Sequence, residues 1–296
     1  MTACSSDDDG QDDGGIIAEP RLLTITQIEQ PSTRATLGEE NEALTASWTA
    51  GDVLTYATLS NIGNSYYYGP LTAKTTATKS EFTGKVHCSQ GNKLAVIYPQ
   101  TTTLATDNGS YTISLTGQDG TLQTLATKYH YVYGVATVTS VTETTASATM
   151  EKMKSLLSVV KFNFADKNKN NALISVKSLT ISYDNTEDNY RGYPRMATVT
   201  TKTSQGEVIA QSQVVATPEE QEQWAGKKLE INLPSGTTKE DVYVALLPGG
   251  AKTTSPVDGR LQFYFSVTDN DGNTYTGTAK AVLVEGEFVN ATIKVQ

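Results

Sequence analysis

The chain has 296 residues, a formal net charge of −9 and 38% hydrophobic residues, which is typical of a globular protein long enough for two domains. No run of 18 apolar residues occurs, so the sequence predicts no helix that spans a bilayer. Its 23 lysines and arginines, set against 32 acidic residues, leave no basic patch for a phosphate backbone. We therefore exclude nucleic acid as a partner.

Threonine is the most informative residue of the composition, with 45 copies, and 15 tyrosines accompany it. β-Branched and aromatic side chains fit a pleated, half-buried surface better than a helix. The only cysteines, Cys4 and Cys88, are too few for a disulfide framework. The composition thus predicts an all-β protein whose core is held by packing.

Residues 1–20 are rich in Gly and Asp and have no periodicity, which favours a disordered tether. Thr2 and Ala3 directly before Cys4 resemble the end of a bacterial lipoprotein signal peptide, and the Ser-Ser-Asp-Asp-Asp that follows resembles a surface-export signal of Bacteroidetes lipoproteins. The resemblance implies that Cys4 is lipidated. The charged and apolar regions that precede such a cysteine are missing here, which we interpret as a truncated start.

The first predicted strand lies at residues 22–28, where Leu22, Leu23, Ile25 and Ile28 supply the apolar side chains. Pro31-Ser32-Thr33-Arg34 then breaks it. Further segments follow at 46–48 running into 51–57, and at 65–68, 79–84, 93–99 and 110–115, the last after an Asp107-Asn108-Gly109 hairpin signal. Short strands at this spacing predict a β-sandwich domain over residues 21–150.

The pattern restarts after a Thr/Ser-rich passage, which predicts a second β-sandwich domain over residues 151–296. Its predicted strands lie at 156–164, 178–183, 228–233, 242–248, 261–267 and 287–295. Thr217-Pro218-Glu219-Glu220 carries the signals of a helix start, which predicts one short peripheral helix with Trp224 as its anchor. Asp269–Asn273 reads as a hairpin turn rather than a calcium loop, because position twelve of such a loop would be Lys280 instead of glutamate.

The order of several motifs resembles the fimbrillin family of Bacteroidales, the subunits of type V pili. The motifs are Thr33-Arg34, Trp48-x-x-Gly51-Asp52, Phe82, Ala95–Pro99, Tyr131–Gly134, Leu157–Phe162, Lys177–Ile181, Val244–Gly249 and Val284–Phe288. The resemblance covers most of residues 21–296. It implies two tandem Greek-key, transthyretin-like β-sandwich domains, export as a lipoprotein to the outer membrane, and polymerisation into a cell-surface fimbrium.

In that family a trypsin-like protease cuts after an arginine, and the first strand leaves a groove that a strand of the next subunit fills. The resemblance points to Arg34, which follows the strand carrying Leu22, Leu23, Ile25 and Ile28. Arg21 is the rival site, but a cut there would trim only the tether. The implied partners are other fimbrial subunits, the protease, a host or bacterial surface ligand, and the membrane through the lipid anchor before processing.

The last predicted strand, Phe288–Val295, completes its own sandwich by the simplest interpretation, and no further strand follows it for donation. This favours a tip or accessory subunit over a shaft subunit. The adhesive ligand and the neighbouring subunit have no signal in the sequence.

The sequence predicts no enzyme, cofactor or metal site. Cys88 and His130 would have to meet in the fold to act as a nucleophile and base, and no Gly-x-Ser-x-Gly elbow or metal-ligand spacing occurs. The main alternative is a non-polymerising surface lipoprotein that binds glycans through Trp48, Tyr66, Tyr67 and Tyr68, because aromatic faces bury the apolar side of sugar rings. A hydrolase on a β-sandwich scaffold is the third candidate.

Overall fold

The computed structural model describes residues 19–29, 36–40, 43–59, 62, 66–101, 111–150, 152–185, 190–192, 196–200, 211–213, 228–236, 239–248 and 261–296. The predicted lipidation site, the Arg34 processing site, the Asp107–Gly109 turn and the helix start at Thr217 lie outside these residues. Within them the fold is almost entirely β, so the all-β class predicted from the sequence is confirmed.

The described strands, in chain order, are β1 (Arg21–Glu29), β2 (Thr36–Glu40), β3 (Ala43–Ser47), β4 (Val53–Thr58), β5 (Tyr68–Ala73), β6 (Lys79–Val86), β7 (Lys93–Tyr98), β8 (Tyr111–Ser114), β9 (Val132–Val141), β10 (Thr145–Met150), β11 (Lys154–Ser155), β12 (Ser158–Asp166), β13 (Ala172–Leu173), β14 (Val176–Asn185), β15 (Tyr190–Gly192), β16 (Met196–Thr200), β17 (Gln211–Gln213), β18 (Leu229–Asn232), β19 (Val242–Leu246), β20 (Leu261–Asp269), β21 (Thr274–Ala281) and β22 (Phe288–Val295).

The first sheet has the order β10-β1-β6-β5-β4-β7-β9-β11. Strand β10 also pairs with β9, so the strands from β10 round to β9 form a closed cycle of pairings. Inward side chains of this cycle, such as Leu54 and Phe82, pack into one cluster together with Trp48, which follows β3. A closed cycle leaves no unpaired edge on these strands, which satisfies their backbone donors and acceptors internally.

The second sheet has the order β13-β12-β22-β21-β20-β14-β15, with β18 paired to β14 and β19 paired to β12. Phe162 and Phe164 of β12 and Phe265 of β20 meet in its core, with ring centroids 5.2 to 6.0 Å apart. Strand β22 runs parallel to β12 along its whole length, from Val159 opposite Phe288 to Asp166 opposite Val295. The last strand is therefore an internal member of its own sheet.

Strand β8 lies with the second half of the chain rather than in a hairpin of the first. It pairs antiparallel with β16, with Tyr111 opposite Val199. The Gln118 side chain donates to the carbonyl of Ala245 at 3.0 Å and accepts from its N–H at 2.7 Å. Gly120, with φ of +72°, lies so close to Val242 that a β-carbon would approach its Cγ1 to 2.9 Å. These contacts fix the segment from β8 to β9 against β19.

A short helical segment follows that contact, with Leu122–Thr124 continuing into a π-helical turn over Leu125–Tyr129, and a 3₁₀ turn covers Lys167–Lys169. Thr121 caps the first of these by accepting a hydrogen bond from the Thr124 N–H. In the described parts of the chain, no helix has the length and hydropathy needed to cross a membrane.

Candidate functional site

The first strand occupies the middle of the first sheet, not its edge. Strand β1 pairs antiparallel with β6, where Leu23 lies opposite Gly84, and parallel with β10, where Leu23 lies opposite Ala146. Both backbone edges of β1 are thus engaged by strands distant in sequence. Its removal would break the closed cycle and leave β6 and β10 as facing edges of a slot.

The apolar side chains of β1 fill the core of this sheet. Leu23, Ile25 and Ile28 are fully buried, whereas Leu22 on the opposite face is 50% exposed. The step of three from Ile25 to Ile28 breaks the two-residue alternation, and the register with β6 shifts between these two residues. This irregularity, a β-bulge or its equivalent, returns Ile28 to the inward face. Strand β1 is therefore a buried plug of three large side chains.

Trp48 closes one end of the slot. Its indole N–H donates to the carbonyl oxygen of Ile28 at 2.9 Å, and its ring lies edge-on to Phe82 at 4.7 Å and to Tyr98 at 5.5 Å. The side chain is fully buried. The prediction that Trp48 contacts a glycan is therefore wrong for this structure, because a sugar ring cannot reach it.

At the other end of β1, the Arg21 side chain is held by hydrogen bonds to two main-chain carbonyls. Its Nε donates to the carbonyl of Thr142 at 2.6 Å, and its Nη1 donates to the carbonyl of Cys88 at 2.8 Å. Its main chain pairs with Val86. A protease needs an extended, accessible arginine, so these contacts make Arg21 a poorer substrate than an arginine outside the strands.

Arg34 lies in the link between β1, which ends at Glu29, and β2, which begins at Thr36. The link itself is outside the described residues. Its place in the chain means that a cut after Arg34 would separate all of β1 from the remaining strands of its sheet.

The tyrosine cluster does not form one platform with Trp48. Tyr67 stacks on His87, with ring centroids 4.0 Å apart and an angle of 24° between the planes. Tyr68 is 45% exposed, and Tyr66 is half-buried. Of the predicted glycan contacts, Tyr68 presents the most open ring.

Cys88 follows β6 and is fully buried against the inner face of the first sheet. Burial raises the pKa of its thiol, and the nearby Arg21 charge opposes this effect only in part. A reactive cysteine needs the opposite environment, one that favours the thiolate. His130 is also buried, with its ring 6.4 Å from that of Tyr98.

The Asp269 turn is the predicted hairpin. Strands β20 and β21 pair up to Thr268 opposite Thr274, and the Asp269 carboxylate accepts hydrogen bonds from the N–H groups of Asp271 and Asn273, both at 2.9 Å. The Asn273 side-chain amide donates a further hydrogen bond at 2.9 Å, and this bond, together with those from the main chain and from the Tyr275 hydroxyl, lowers the pKa of Asp269 below its ordinary value. Among the described residues, no group of three or more His, Cys, Asp or Glu side chains is placed to hold a metal ion.

No protein-family model matches the chain, and the comparison with curated proteins gives no match. Among solved structures, a candidate cell adhesion protein from Bacteroides fragilis aligns with a TM-score of 0.51 and 12% identity, over 93% of this chain and 92% of that chain. A candidate cell adhesion protein from Bacteroides uniformis aligns with a TM-score of 0.48 and 15% identity, over 92% and 94% of the two chains. A fimbrial assembly protein from Parabacteroides distasonis aligns with a TM-score of 0.42 and 10% identity, over 92% and 90%. The B. fragilis alignment shows a shared fold over nearly the whole of both chains, in keeping with the fold that the fimbrillin resemblance implies.

Proposed function

We propose that this chain is a subunit of a cell-surface fimbria or pilus that accepts a strand from a neighbouring subunit after proteolytic removal of β1. The observation that carries the proposal is the position of β1 between β6 and β10, with its inward side chains fully buried. Cleavage after Arg34 would leave this strand held by noncovalent contacts alone. A strand of another subunit would then replace it by β-strand addition.

Refilling the slot is strongly favourable. Burial of Leu23, Ile25 and Ile28 contributes about 1.5–3 kcal/mol for each side chain, or about 5–9 kcal/mol before ordering costs. An empty slot would also leave the Trp48 indole N–H without its acceptor on Ile28. An unpaired buried donor costs about 1–3 kcal/mol, so the incoming strand gains by supplying a carbonyl at that position.

The commitment of β22 to its own sheet supports an accepting role. Because β22 pairs residue for residue with β12 from Phe288 to Val295, donating it would break the second sheet. We therefore favour a tip or accessory subunit over a shaft subunit that donates its last strand.

The shared fold with the B. fragilis candidate adhesion protein supports placement at the cell surface. In our proposal, Cys4 carries the lipid anchor at the outer membrane before processing. A trypsin-like protease then cuts after Arg34, and the processed subunit joins the fimbrium through a neighbour's strand. Contact with a host or bacterial surface ligand completes the adhesive role.

Limited trypsin digestion tests this function. We expect one early cut after Arg34, followed by protease-resistant and detergent-resistant oligomers when the digested protein is concentrated with a partner subunit. The Arg34→Gln variant should stay uncut and monomeric, whereas Arg21→Gln should behave as wild type. An uncut wild-type monomer that is retarded in a polysaccharide gel would contradict assembly and support the glycan-binding alternative.

A further inference from the structure

We propose that a groove on the outer face of the second sheet binds an acidic oligosaccharide. The groove has a volume of about 410 Å³, which is within the range of small-ligand sites. It lies across β14, β20 and β21 and is lined mostly by hydroxyl-bearing side chains, with a lysine at each end.

Strand register aligns the hydroxyl groups in two rows. In the first row, Ser182 lies opposite Tyr264, which lies opposite Thr278. In the second row, Thr180 lies opposite Ser266, which lies opposite Thr276. The residues between them, such as Ile181 and Phe265, are buried in the core, so alternation directs the hydroxyl-bearing residues to the other face.

Thr276 and Thr278 are exposed and Thr180 and Ser266 are half-buried, so these four can meet a ligand, whereas Ser182, only 4% exposed, lies at the base of the groove. Across the described residues, the side-chain oxygens of Thr180, Ser182, Ser266, Thr276 and Thr278 take part in no hydrogen bond. A hydroxyl is both donor and acceptor, so an array of them matches the hydroxyl-rich edge of a saccharide. Tyr264, half-buried in the same groove, adds an aromatic ring against which the apolar face of a sugar can pack.

The two lysines set the charge of the ligand. Lys167 begins the 3₁₀ turn after β12, and Lys228 directly precedes β18. Neither forms an ion pair within the described parts of the chain, whereas the neighbouring Lys169 pairs with Asp166 at 3.7 Å. Two uncompensated ammonium groups at a groove of a protein with net charge −9 favour an anionic ligand.

Gly277 shapes the wall beside Lys167. A β-carbon there would approach Val295 Cγ1 to 2.7 Å and the Lys294 carbonyl oxygen to 2.8 Å. Its absence lets the end of β22 lie against β21, where Gln296 and Thr276 exchange main-chain hydrogen bonds of 2.9 and 3.0 Å. Gln296 thereby becomes part of the groove lining.

The length of the groove favours an oligosaccharide over a single sugar. Lys167 and Lys228 belong to segments on opposite sides of β14, β20 and β21, so a ligand that contacts both must cross three strands. A saccharide with acid groups on alternate rings offers both anionic groups for the lysines and hydroxyls for the rows between them. Since β1 contributes nothing to this groove, the groove and the strand-exchange function can fail independently.

Isothermal titration calorimetry with hyaluronan tetrasaccharide tests the proposal, with neutral chitotetraose as the comparison ligand. We expect the wild type to bind the acidic probe and to bind the neutral probe at least about tenfold more weakly, because the neutral probe has no carboxylates to accept charge-assisted hydrogen bonds from the two lysines. The double variant Lys167→Gln/Lys228→Gln should lose at least about tenfold in affinity for the acidic probe. Lys85→Gln/Lys93→Gln, which removes the same charge from exposed positions on the first sheet, should bind as wild type.

A second pair of variants examines the hydroxyl rows without changing charge. Ser266→Ala/Thr278→Val should weaken binding severalfold while leaving the unfolding midpoint within the wild-type range, because both side chains lie on the outer face. Equal affinity for the two probes would overturn the proposal. So would unchanged binding by the lysine double variant, or the absence of binding of the acidic probe to the wild type.

Discussion

Trp48 donates its indole N–H to the main-chain carbonyl of Ile28, 2.9 Å away and shielded from solvent. The two residues lie on either side of Arg34, so this bond joins the strand that we expect to leave to the core that we expect to remain. The same bond favours an incoming strand whose register places a main-chain carbonyl where Ile28 has one. Loss of this bond would distinguish the protein with β1 in place from the protein after β1 has left.

Replacing Trp48 by phenylalanine removes the donor and leaves the buried Ile28 carbonyl without that partner. We expect Trp48→Phe to lower the free energy of unfolding by about 1–3 kcal/mol, measured by denaturant titration. Tyr68→Phe is the matched control, since Tyr68 is exposed, and should change stability by no more than about 0.5 kcal/mol. Equal stability of the two variants would show that the indole bond is not important.

Truncation of Ile25 tests whether β1 is a buried plug. Ile25→Ala leaves a cavity between β6 and β10 and should cost about 2–5 kcal/mol of unfolding free energy. Leu22→Ala, on the exposed face of the same strand, should cost less than about 0.5 kcal/mol. A similar loss for both variants would mean that β1 does not hold its observed register in solution.

Cys88 can report the opening of the slot. Its thiol is fully buried, burial raises its pKa, and Arg21 of β1 donates to its carbonyl. In a Cys4→Ser background we expect slow alkylation by iodoacetamide before processing and faster alkylation after removal of residues 1–34. A synthetic peptide of residues 21–30 should restore the slow rate. The same rate in all three states would argue against a vacancy beside Cys88.

The lowered pKa of Asp119 should make the free energy of unfolding depend on pH. Burial raises the pKa of this carboxyl. Hydrogen bonds from the Thr124 hydroxyl at 2.5 Å and from the Thr121 hydroxyl at 2.7 Å lower the pKa by more than burial raises it. The net effect is a pKa below the ordinary value of 3.8. Because the folded pKa lies below that of the unfolded chain, the ionised group stabilises the fold above that ordinary value. This stabilisation is lost as the pH falls toward the folded pKa.

The Asp119→Asn variant lacks this titration. We expect its free energy of unfolding, measured between pH 6 and pH 3, to fall less steeply than that of the wild type. Parallel curves for the two proteins would contradict the assigned role of Asp119.

Local features of the fold were predictable from the sequence. Alternation at Leu23 and Ile25 and at Phe162 and Phe164 identified strands with buried faces, and the Asp269–Asn273 segment identified a hairpin. These signals depend on neighbours along the chain, which is the information that periodicity and turn chemistry carry.

Pairings between distant segments were not predictable. Nothing local indicates that β1 pairs in parallel with β10, or that β8 pairs with β16 instead of a neighbouring strand. The burial of Trp48 depends on Phe82 and Tyr98 converging on it, which the local sequence does not show, and it rules out the glycan contact that the alternative hypothesis gave to Trp48. The outer groove is built from several separate segments and was not identified from the sequence; the alternating hydroxyl-bearing residues Tyr264, Ser266, Thr276 and Thr278 are the one local signal that could have indicated it.

Hydrogen exchange of the β6 and β10 main-chain amides, followed before and after cleavage at Arg34, tests most directly whether the departure of β1 opens a slot. We expect the amides of β6 and β10 that face β1 to be protected in the intact protein, to exchange rapidly once residues 1–34 are removed, and to regain protection when the peptide of residues 21–30 is added. The amides that pair β6 with β5 and β10 with β9 serve as the internal control, because those pairings remain. Protection that stays unchanged after the first strand has left would contradict strand replacement.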